Sequence, residues 1–301
     1  MTTEKTTVID PVEQQAIFDN LIKYAVAPRP ICFASTIDAA GNVNLSPFSY
    51  FNFMSQQPPI CVFSPLRRMR DGSTKHTLDN MLEVPEVVIN IVNYSMVQQQ
   101  SLASTEYGKG INEFDKSGFT AIASDLINPP RVAESPVQLE CKVHEIINLG
   151  DGPGAGNLVI AEIVRMHIHE NLLNDKNEVS QESLDLVARL GGNWYSRVTK
   201  ESLFEVPKPL RNLGIGVDAL PEHIRYSDIL TGNQLGRLAN VEQLPVLNDE
   251  KTLLVNPEII AIWEQSHEDL ALRRKLLQMH AAKLLDQGEL ISAWQILLLG
   301  V

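Results

Sequence analysis

Residues 46–52, with the sequence Ser-Pro-Phe-Ser-Tyr-Phe-Asn, bring aromatic rings, hydroxyl groups and an amide together in one short stretch. A flat, largely apolar ring system with one polar edge needs this combination, because apolar surface contacts its faces and hydrogen-bonding groups fix its edge. Pro47 has no backbone N–H and disfavours a regular central strand, which leaves neighbouring backbone groups free for a ligand. Taken alone, the stretch is more simply explained as an edge strand with buried aromatic side chains.

A basic segment follows in an acidic chain. The 301 residues carry a net charge of −12, yet residues 67–76 contain three arginines, one lysine and one histidine. Thr74, Thr77 and Asn80 add hydroxyl and amide groups close by. A phosphate of about two negative charges is bound by such charge-assisted donors. A solvated basic loop is the commoner outcome for a run of charges, but basic charge against this acidic background favours an anion site. Together the two segments suit a phosphorylated flavin, FMN.

Both segments belong to a longer series of motifs. The series consists of Pro-Arg-Pro-Ile at 28–31, Ser-Thr-Ile-Asp at 35–38, Gly-Asn-Val-Asn at 41–44, Ser-Pro-Phe-Ser at 46–49, Pro-Pro at 58–59, Phe-Ser at 63–64, Lys75 with Thr77 and Asn80, Val-Val-Ile-Asn at 87–90, Pro-Pro-Arg-Val-Ala-Glu-Ser-Pro at 129–136, Leu-Glu-Cys at 139–141, and Ala-Arg-Leu-Gly-Gly at 188–192 with Tyr195. In this order the motifs closely resemble the flavin reductase-like family, over residues 17–198 of this chain. The resemblance implies the FMN-binding split-barrel fold of that family.

The resemblance and the residue chemistry together predict the cofactor site. The residues expected at the ring edge are Ser46, Ser49 and Asn52, those shaping the ring pocket are Tyr50 and Phe51 with Pro47 beside them, and those holding the phosphate are Ser64, Lys75, Thr77 and Asn80. The family usually has Asp where this chain has His76, so the role of position 76 stays open. Hydride transfer to a flavin requires no acid–base residue, so no catalytic residue is assigned.

The segment around residues 189–195 has two interpretations. The resemblance places Arg189 and Tyr195 near the active pocket. The residues themselves are equally typical of a helix that ends at a glycine and is followed by core aromatics. His167 and His169 point to one face of a predicted strand, but no third ligand is near in sequence, so we expect no metal site.

Composition narrows the class of protein. The hydrophobic content of 44% is ample for a core, and no stretch approaches the ~20 apolar residues of a membrane span. The acidic balance argues against nucleic-acid or anionic-membrane partners. Cys32, Cys61 and Cys141 lack Cys-x-x-Cys spacing and are expected to be buried thiols. With no apolar signal segment at the N-terminus, a cytoplasmic location is expected.

The elements that must position the site follow from hydrophobic periodicity. Strands are predicted at 31–37, 43–53, 60–63, 87–92, 119–123, 137–147 and 158–168, and helices at 12–24, 77–82, 95–105 and 184–190. Residues 107–117 are predicted as a loop and a candidate flap. Short hairpin-linked strands favour an antiparallel barrel over a parallel sheet. With the resemblance, the expected fold is mainly β with α: an antiparallel Greek-key split β-barrel with peripheral helices and a helical C-terminal extension.

We expect a split-barrel flavin reductase-like domain at 10–204 and an extension at 205–301. The glycine-rich stretch 150–157 precedes a strand instead of a helix, so it is interpreted as a hairpin loop and not as a dinucleotide motif. In the extension, Asn256-Pro257 is expected to start a helical tail. Apolar stripes on its helices predict a helical hairpin that packs on the barrel or across a dimer.

These observations favour an NAD(P)H-dependent FMN reductase that works as a homodimer and takes nicotinamide nucleotide transiently as electron donor. One alternative is a flavoredoxin-like FMN electron carrier on the same barrel. Another is a barrel without cofactor that serves as an interaction module through its C-terminal helices.

Overall fold

A computed structural model describes residues 5–209, 213–248 and 250–299. The chain divides into two compact units, Met1–Phe204 and Glu205–Val301. Each unit has a hydrophobic core of its own. No helix among the described residues has the length and apolar content that crossing a lipid bilayer requires.

The first unit contains the strands. Their bounds are β1 (Cys32–Ile37), β2 (Val43–Phe48), β3 (Phe51–Gln56), β4 (Pro59–Phe63), β5 (Glu86–Ile91), β6 (Ala121–Ile122), β7 (Arg131–Val132), β8 (Val137–Asn148), β9 (Asn157–Ile168), β10 (Val187–Arg189) and β11 (Tyr195–Arg197). Within the described residues, seven of them form one antiparallel sheet in the order β2-β1-β5-β8-β9-β4-β3. The pairs β6–β7 and β10–β11 form separate small sheets.

The large sheet curves into a barrel. Its edge strands β2 and β3 are consecutive in the sequence and are separated only by Ser49 and Tyr50. Alternate side chains fill the interior, as the two-residue period of a strand requires: Cys32 and Ala34 point inward while Phe33 packs in a second cluster outside. The proline in β2 is tolerated because an edge strand can lack a ladder donor.

The hairpin predictions are confirmed. Gly41 has φ of +88° in the turn between β1 and β2, a conformation that favours glycine. The Asp38 carboxylate accepts hydrogen bonds from the N–H groups of Ala40 and Asn42 in the same turn. The glycine-rich stretch connects β8 to β9, whose register begins with Asn148 opposite Asn157.

The helices of the first unit are α1 (Gln15–Ala25), α2 (His76–Glu83), α3 (Val97–Leu102), α4 (Glu113–Ser117) and α5 (Gln181–Leu184). Three expectations were wrong. The predicted strand 43–53 is divided at residues 49–50. The predicted loop 107–117 ends in helix α4, which the Asn112 side chain caps by accepting a bond from Phe114 N–H. The predicted helix 184–190 is instead strand β10, because Asp185 leaves α5 with φ of 49°.

The second unit is helical. Its helices are α6 (Glu222–Arg225), α7 (Gly232–Ala239), α8 (Glu250–Leu254), α9 (Pro257–Ser266), α10 (Leu270–Asp286) and α11 (Leu290–Leu298). The expected start at Asn256-Pro257 is confirmed, since the Asn256 side chain accepts from Glu258 N–H and Pro257 opens α9. Leu277, Ala281 and Trp294 are buried where α10 and α11 pack together.

Candidate functional site

A cleft of about 640 Å³ opens in the first unit, a size typical of small-molecule sites. It is lined by the end of β2, by α3 and the turn before it, and by the β10–β11 hairpin: Ile31, Pro47, Phe48, Ser49, Tyr94, Val97, Gln98, Gln100, Ser101, Ser104, Val187, Arg189, Asn193, Tyr195, Ser196 and Arg197. Ile31, Val97 and Val187 belong to the buried cluster outside the barrel. The cleft therefore combines an apolar wall with polar side chains.

Arg29 joins the walls of the cleft. Its side chain is buried, and its guanidinium donates to Lys23 O (2.6 Å) and Val26 O (2.8 Å) at the end of α1 and to Leu190 O (3.0 Å) after β10. Its Nε lies 3.4 Å from Ser49 Oγ, which it reaches as a donor. One buried cation thus fixes the turn after β2 relative to the β10–β11 hairpin.

The hairpin approaches α1 too closely for a side chain at Gly191. A Cβ at this position would lie 2.3 Å from the Tyr24 ring. Gly192 has φ of +56°, which glycine adopts without steric cost. These glycines let the β10–β11 hairpin turn against α1 and present Arg189 and Tyr195 to the cleft.

The cleft contains an unsatisfied acceptor. Gln100 is 3% exposed, and its Oε1 has no hydrogen-bond partner among the described residues. A buried acceptor without a partner costs about 1–3 kcal/mol, which a ligand N–H would recover. The polar edge of a flavin ring carries such an N–H, so the donor and acceptor groups present fit that cofactor.

A smaller pocket, of about 30 Å³, lies beside the cleft and shares Ser104 with it. It is lined by Asn44, Ser46, Arg68, Lys75, His76, Thr77, Ala103, Ser104, Thr105, Glu106, Tyr107 and Glu113. Lys75 Nζ lies 5.2 Å from the centroid of the Phe48 ring, and Phe48 also lines the cleft. The cation is therefore placed where the two pockets adjoin.

Lys75 is poised to receive an anion. No carboxylate of the described residues forms an ion pair with it at contact distance. Burial lowers the pKa of Lys75, with a smaller lowering by Arg68 and an opposing effect of Glu106. The Nε of Arg68 is also buried without a hydrogen-bond partner among the described residues. Lys75, which has no ion pair among the described residues, and Arg68, whose carboxylate partner is Glu106, supply the charged donors that a phosphate requires.

Acidic side chains line the same pocket. The Glu106 carboxylate lies 3.7 Å from Arg68 Nε and 2.9 Å from Arg70 Nη1. Glu113 is buried, accepts from Leu45 N–H (3.0 Å) and Asn44 Nδ2 (3.1 Å), and has its pKa raised by burial. Asn44 Oδ1 in turn accepts from Thr77 Oγ1 at 2.6 Å. This chain of bonds orients Thr77 at the start of α2.

A third cluster, Asp125, Glu140 and His167, has the residue types of a metal site. The side-chain atoms that could bind a metal are already engaged in hydrogen bonds. Glu140 accepts from Asp125 N–H (2.8 Å), Leu126 N–H (2.7 Å) and His167 Nε2 (2.7 Å). Asp125 pairs with Arg165. The cluster therefore ties the 125–126 loop to β8 and β9.

Comparison with known proteins identifies the family. The flavin reductase like domain matches residues 24–183. The chain belongs to this family. Family members are flavin-related oxidoreductases, which agrees with the donor and acceptor groups of both pockets.

Solved structures share the fold. Nitrilotriacetate monooxygenase component B from Bacillus cereus is 30% identical, with a TM-score of 0.63 over 68% of this chain and 100% of its own. The 2-nitrobenzoate 2-nitroreductase of Pseudomonas fluorescens is 30% identical, with a TM-score of 0.59 over 69% and 100%. A candidate flavin reductase with a split barrel domain from Shewanella frigidimarina is 25% identical, with a TM-score of 0.54 over 67% and 94%. The expected split barrel is confirmed for the flavin reductase-like part of the chain.

Within this flavin reductase-like domain, half of the residues predicted for the cofactor lie at the pockets. Pro47 and Ser49 line the cleft, and Ser46, Lys75 and Thr77 line the smaller pocket. Strand β2, through Ser46, and the N-terminus of α2 thus meet at the smaller pocket, while Ser49 lies at the adjoining cleft.

The other predicted residues are not among those that line either pocket. Phe51 packs against the barrel core. Asn80 is buried and donates to Thr36 Oγ1 at 3.2 Å. Asn52 is exposed on β3 and accepts from the N–H of the next residue. The remaining two are Tyr50, whose ring lies 5.9 Å from the Arg29 guanidinium, and Ser64, whose N–H donates to the Tyr50 carbonyl.

Sequence reasoning missed residues that enter the site from distant segments. Gln100 comes from α3, Glu106 from the connection after it, and Glu113 from the first turn of α4. One local signal was present, since Asn112 and Gly118 are the N-cap and C-cap residues that mark a short helix. Nothing local indicated that the buried carboxyl of Glu113, in this helix, would accept a hydrogen bond from Leu45 N–H.

Proposed function

We propose that the protein binds FMN and transfers hydride from NAD(P)H to flavin. The observation that carries the proposal is Lys75, a half-buried cation that lines the small pocket, lies close to Phe48 of the cleft and has no ion-pair partner among the described residues. Such a cation at the end of a ring-sized cleft suits a planar cofactor with a terminal phosphate.

Residues of the first unit would hold the cofactor in two places. Lys75 and Arg68 would bind the phosphate, with Thr77 Oγ1 nearby. Ser49 and Gln100 would contact the polar edge of the ring, and the apolar wall would exclude water from its faces. Bound FMN supplies the hydride-accepting ring, so the chain needs only to position the two ring systems and exclude water.

Part of the proposal is a homodimer. Strand β3 lies at an edge of the large sheet and leaves Phe53 and Met54 exposed, as is Tyr50 in the turn before it. Exposed apolar edge strands are usually covered in stable proteins. Light scattering coupled to size-exclusion chromatography would give the mass of the protein in solution. A purely monomeric protein at micromolar concentration would contradict the homodimer.

The activity is tested by NAD(P)H oxidation with FMN added to the purified protein. Fast turnover in which FMN is reduced supports a reductase. If bound FMN is reduced slowly by both nicotinamide nucleotides but quickly by a chemical reductant, the protein is an electron carrier instead. A protein that leaves FMN unbound and unreduced contradicts the proposal.

A further inference from the structure

Arg189 is a cation in the cleft that lies outside the proposed phosphate site of Lys75 and Arg68. Its Nη2 donates to Gly192 O at 2.8 Å, and its guanidinium lies 4.6 Å from the centroid of the Tyr195 ring. No carboxylate of the described residues forms an ion pair with it. Its remaining N–H groups are therefore available to a ligand in the cleft that Arg189 lines.

The other arginine that lines the cleft differs in this respect. Arg197 forms a two-point ion pair with Asp185, at 2.6 Å and 2.9 Å. Its guanidinium also stacks on the Tyr94 ring, 3.7 Å from the centroid. Because Asp185 compensates the charge of Arg197, the uncompensated arginine charge of the cleft is that of Arg189.

The backbone of Arg189 is fixed next to the turn after β2. Arg29 N–H donates to Arg189 O at 2.9 Å, and Arg189 N–H donates to Arg29 O at 2.8 Å. The Arg29 side chain reaches Ser49 Oγ from the same position. The guanidinium of Arg189 is therefore held on one wall of the cleft, with the ring-binding turn on another.

We infer that Arg189 forms a subsite for an anionic oxygen group, a phosphate or a carboxylate, on the second substrate. The inference rests on the proposed function, because a hydride donor or acceptor has to stack on the flavin within this cleft. A planar guanidinium recognises both kinds of group through paired N–H donors. The FMN phosphate has its own cations, Lys75 and Arg68, in the adjoining pocket.

The test uses the variants Arg189→Gln and Arg189→Lys, with Lys142→Gln as control because Lys142 is exposed on β8. The FMN-loaded proteins are reduced in rapid-mixing experiments with NADH and with 1-benzyl-1,4-dihydronicotinamide, which has no phosphate. In a second arm, which needs no bound flavin, benzoate and its neutral analogue benzamide are titrated by calorimetry. Affinities for FMN and riboflavin are measured for each protein.

If the subsite takes a phosphate, Arg189→Gln lowers kred/Kd for NADH by about tenfold or more and leaves the benzyl analogue within about twofold. If it takes a carboxylate, the variant loses about tenfold in benzoate affinity and keeps its benzamide affinity. Arg189→Lys retains most of either function.

The inference is overturned if Arg189→Gln changes neither the NADH arm nor the benzoate arm. It is also overturned if the variant loses FMN affinity but keeps riboflavin affinity, since Arg189 would then hold the cofactor phosphate. A wild-type protein that binds no FMN contradicts the proposed function alone, and the benzoate titration then decides on Arg189.

Discussion

Lys75→Ala is expected to weaken FMN binding while leaving riboflavin binding nearly unchanged. The two ligands differ only in the phosphate, so their difference isolates the contact with Lys75. A charge-assisted hydrogen bond contributes about 1–3 kcal/mol, or roughly 5–150-fold in Kd. Lys75 is already half-buried in the free protein, so part of its desolvation cost is not repeated on binding.

Glu106 opposes phosphate binding, because its carboxylate pairs with Arg68 and Arg70 and interacts with Lys75. A bound phosphate has to displace this carboxylate. The loss should therefore lie in the lower half of that range. Fluorescence quenching of FMN and riboflavin measures both affinities, and Lys142→Ala controls for the loss of one positive charge elsewhere on the barrel. Unchanged FMN affinity, or an equal loss for both flavins, would refute the role of Lys75.

The same cation predicts a pH dependence. Only the protonated amine attracts a phosphate, and burial places the pKa of Lys75 below its ordinary value. The affinity for FMN relative to riboflavin should therefore fall as the pH rises through that lowered pKa. In Lys75→Ala this alkaline decline should be absent.

Three further changes probe the pocket and the barrel. Glu106→Gln should strengthen FMN binding by about 2–5-fold because it removes a competing carboxylate, while Asp115→Asn outside the pocket should not. Burial raises the pKa of Cys61 from 9.0 to about 11, so the unfolded chain ionises first and stability falls as the pH rises above 9.0. Between pH 8 and pH 10, the free energy of unfolding measured in urea should fall by about 1 kcal/mol less in Cys61→Ala than in wild type. Burial opposes ionisation of Glu140, but its hydrogen bonds hold its pKa below 4.5. Glu140→Gln should therefore lower the free energy of unfolding by about 1–3 kcal/mol at neutral pH. The loss of stability that wild type shows as the pH falls below 4.5 should be smaller in this variant.

The sequence indicated the barrel because strand periodicity is local. Alternating apolar residues predicted most strands of the large sheet, and glycines in turns marked its hairpins. The division of 43–53 into two strands was not visible, because the break at residues 49–50 reflects closure of the sheet. The failure at 184–190 has a similar cause: pairing of Arg189 with Arg29 imposes a strand on residues whose spacing is helical.

The candidate site was predictable where short motifs carried its residues. Ser46, Lys75 and Thr77 could be named from short motifs, and the structure places all three at one pocket. Gln100 and Glu113 could not, because their roles depend on burial and on contacts with distant strands. Asn80 belonged to the right motif, but its side chain bonds within the interior.

The most direct test is the absorbance spectrum of the purified protein before and after addition of FMN, with chromatography of any flavin released by denaturation. We expect flavin bands that shift on binding, FMN as the released flavin, and weaker binding of riboflavin. A colourless protein whose addition leaves the FMN spectrum unchanged would contradict the claim that Lys75 and the adjoining cleft form a site for a phosphorylated flavin.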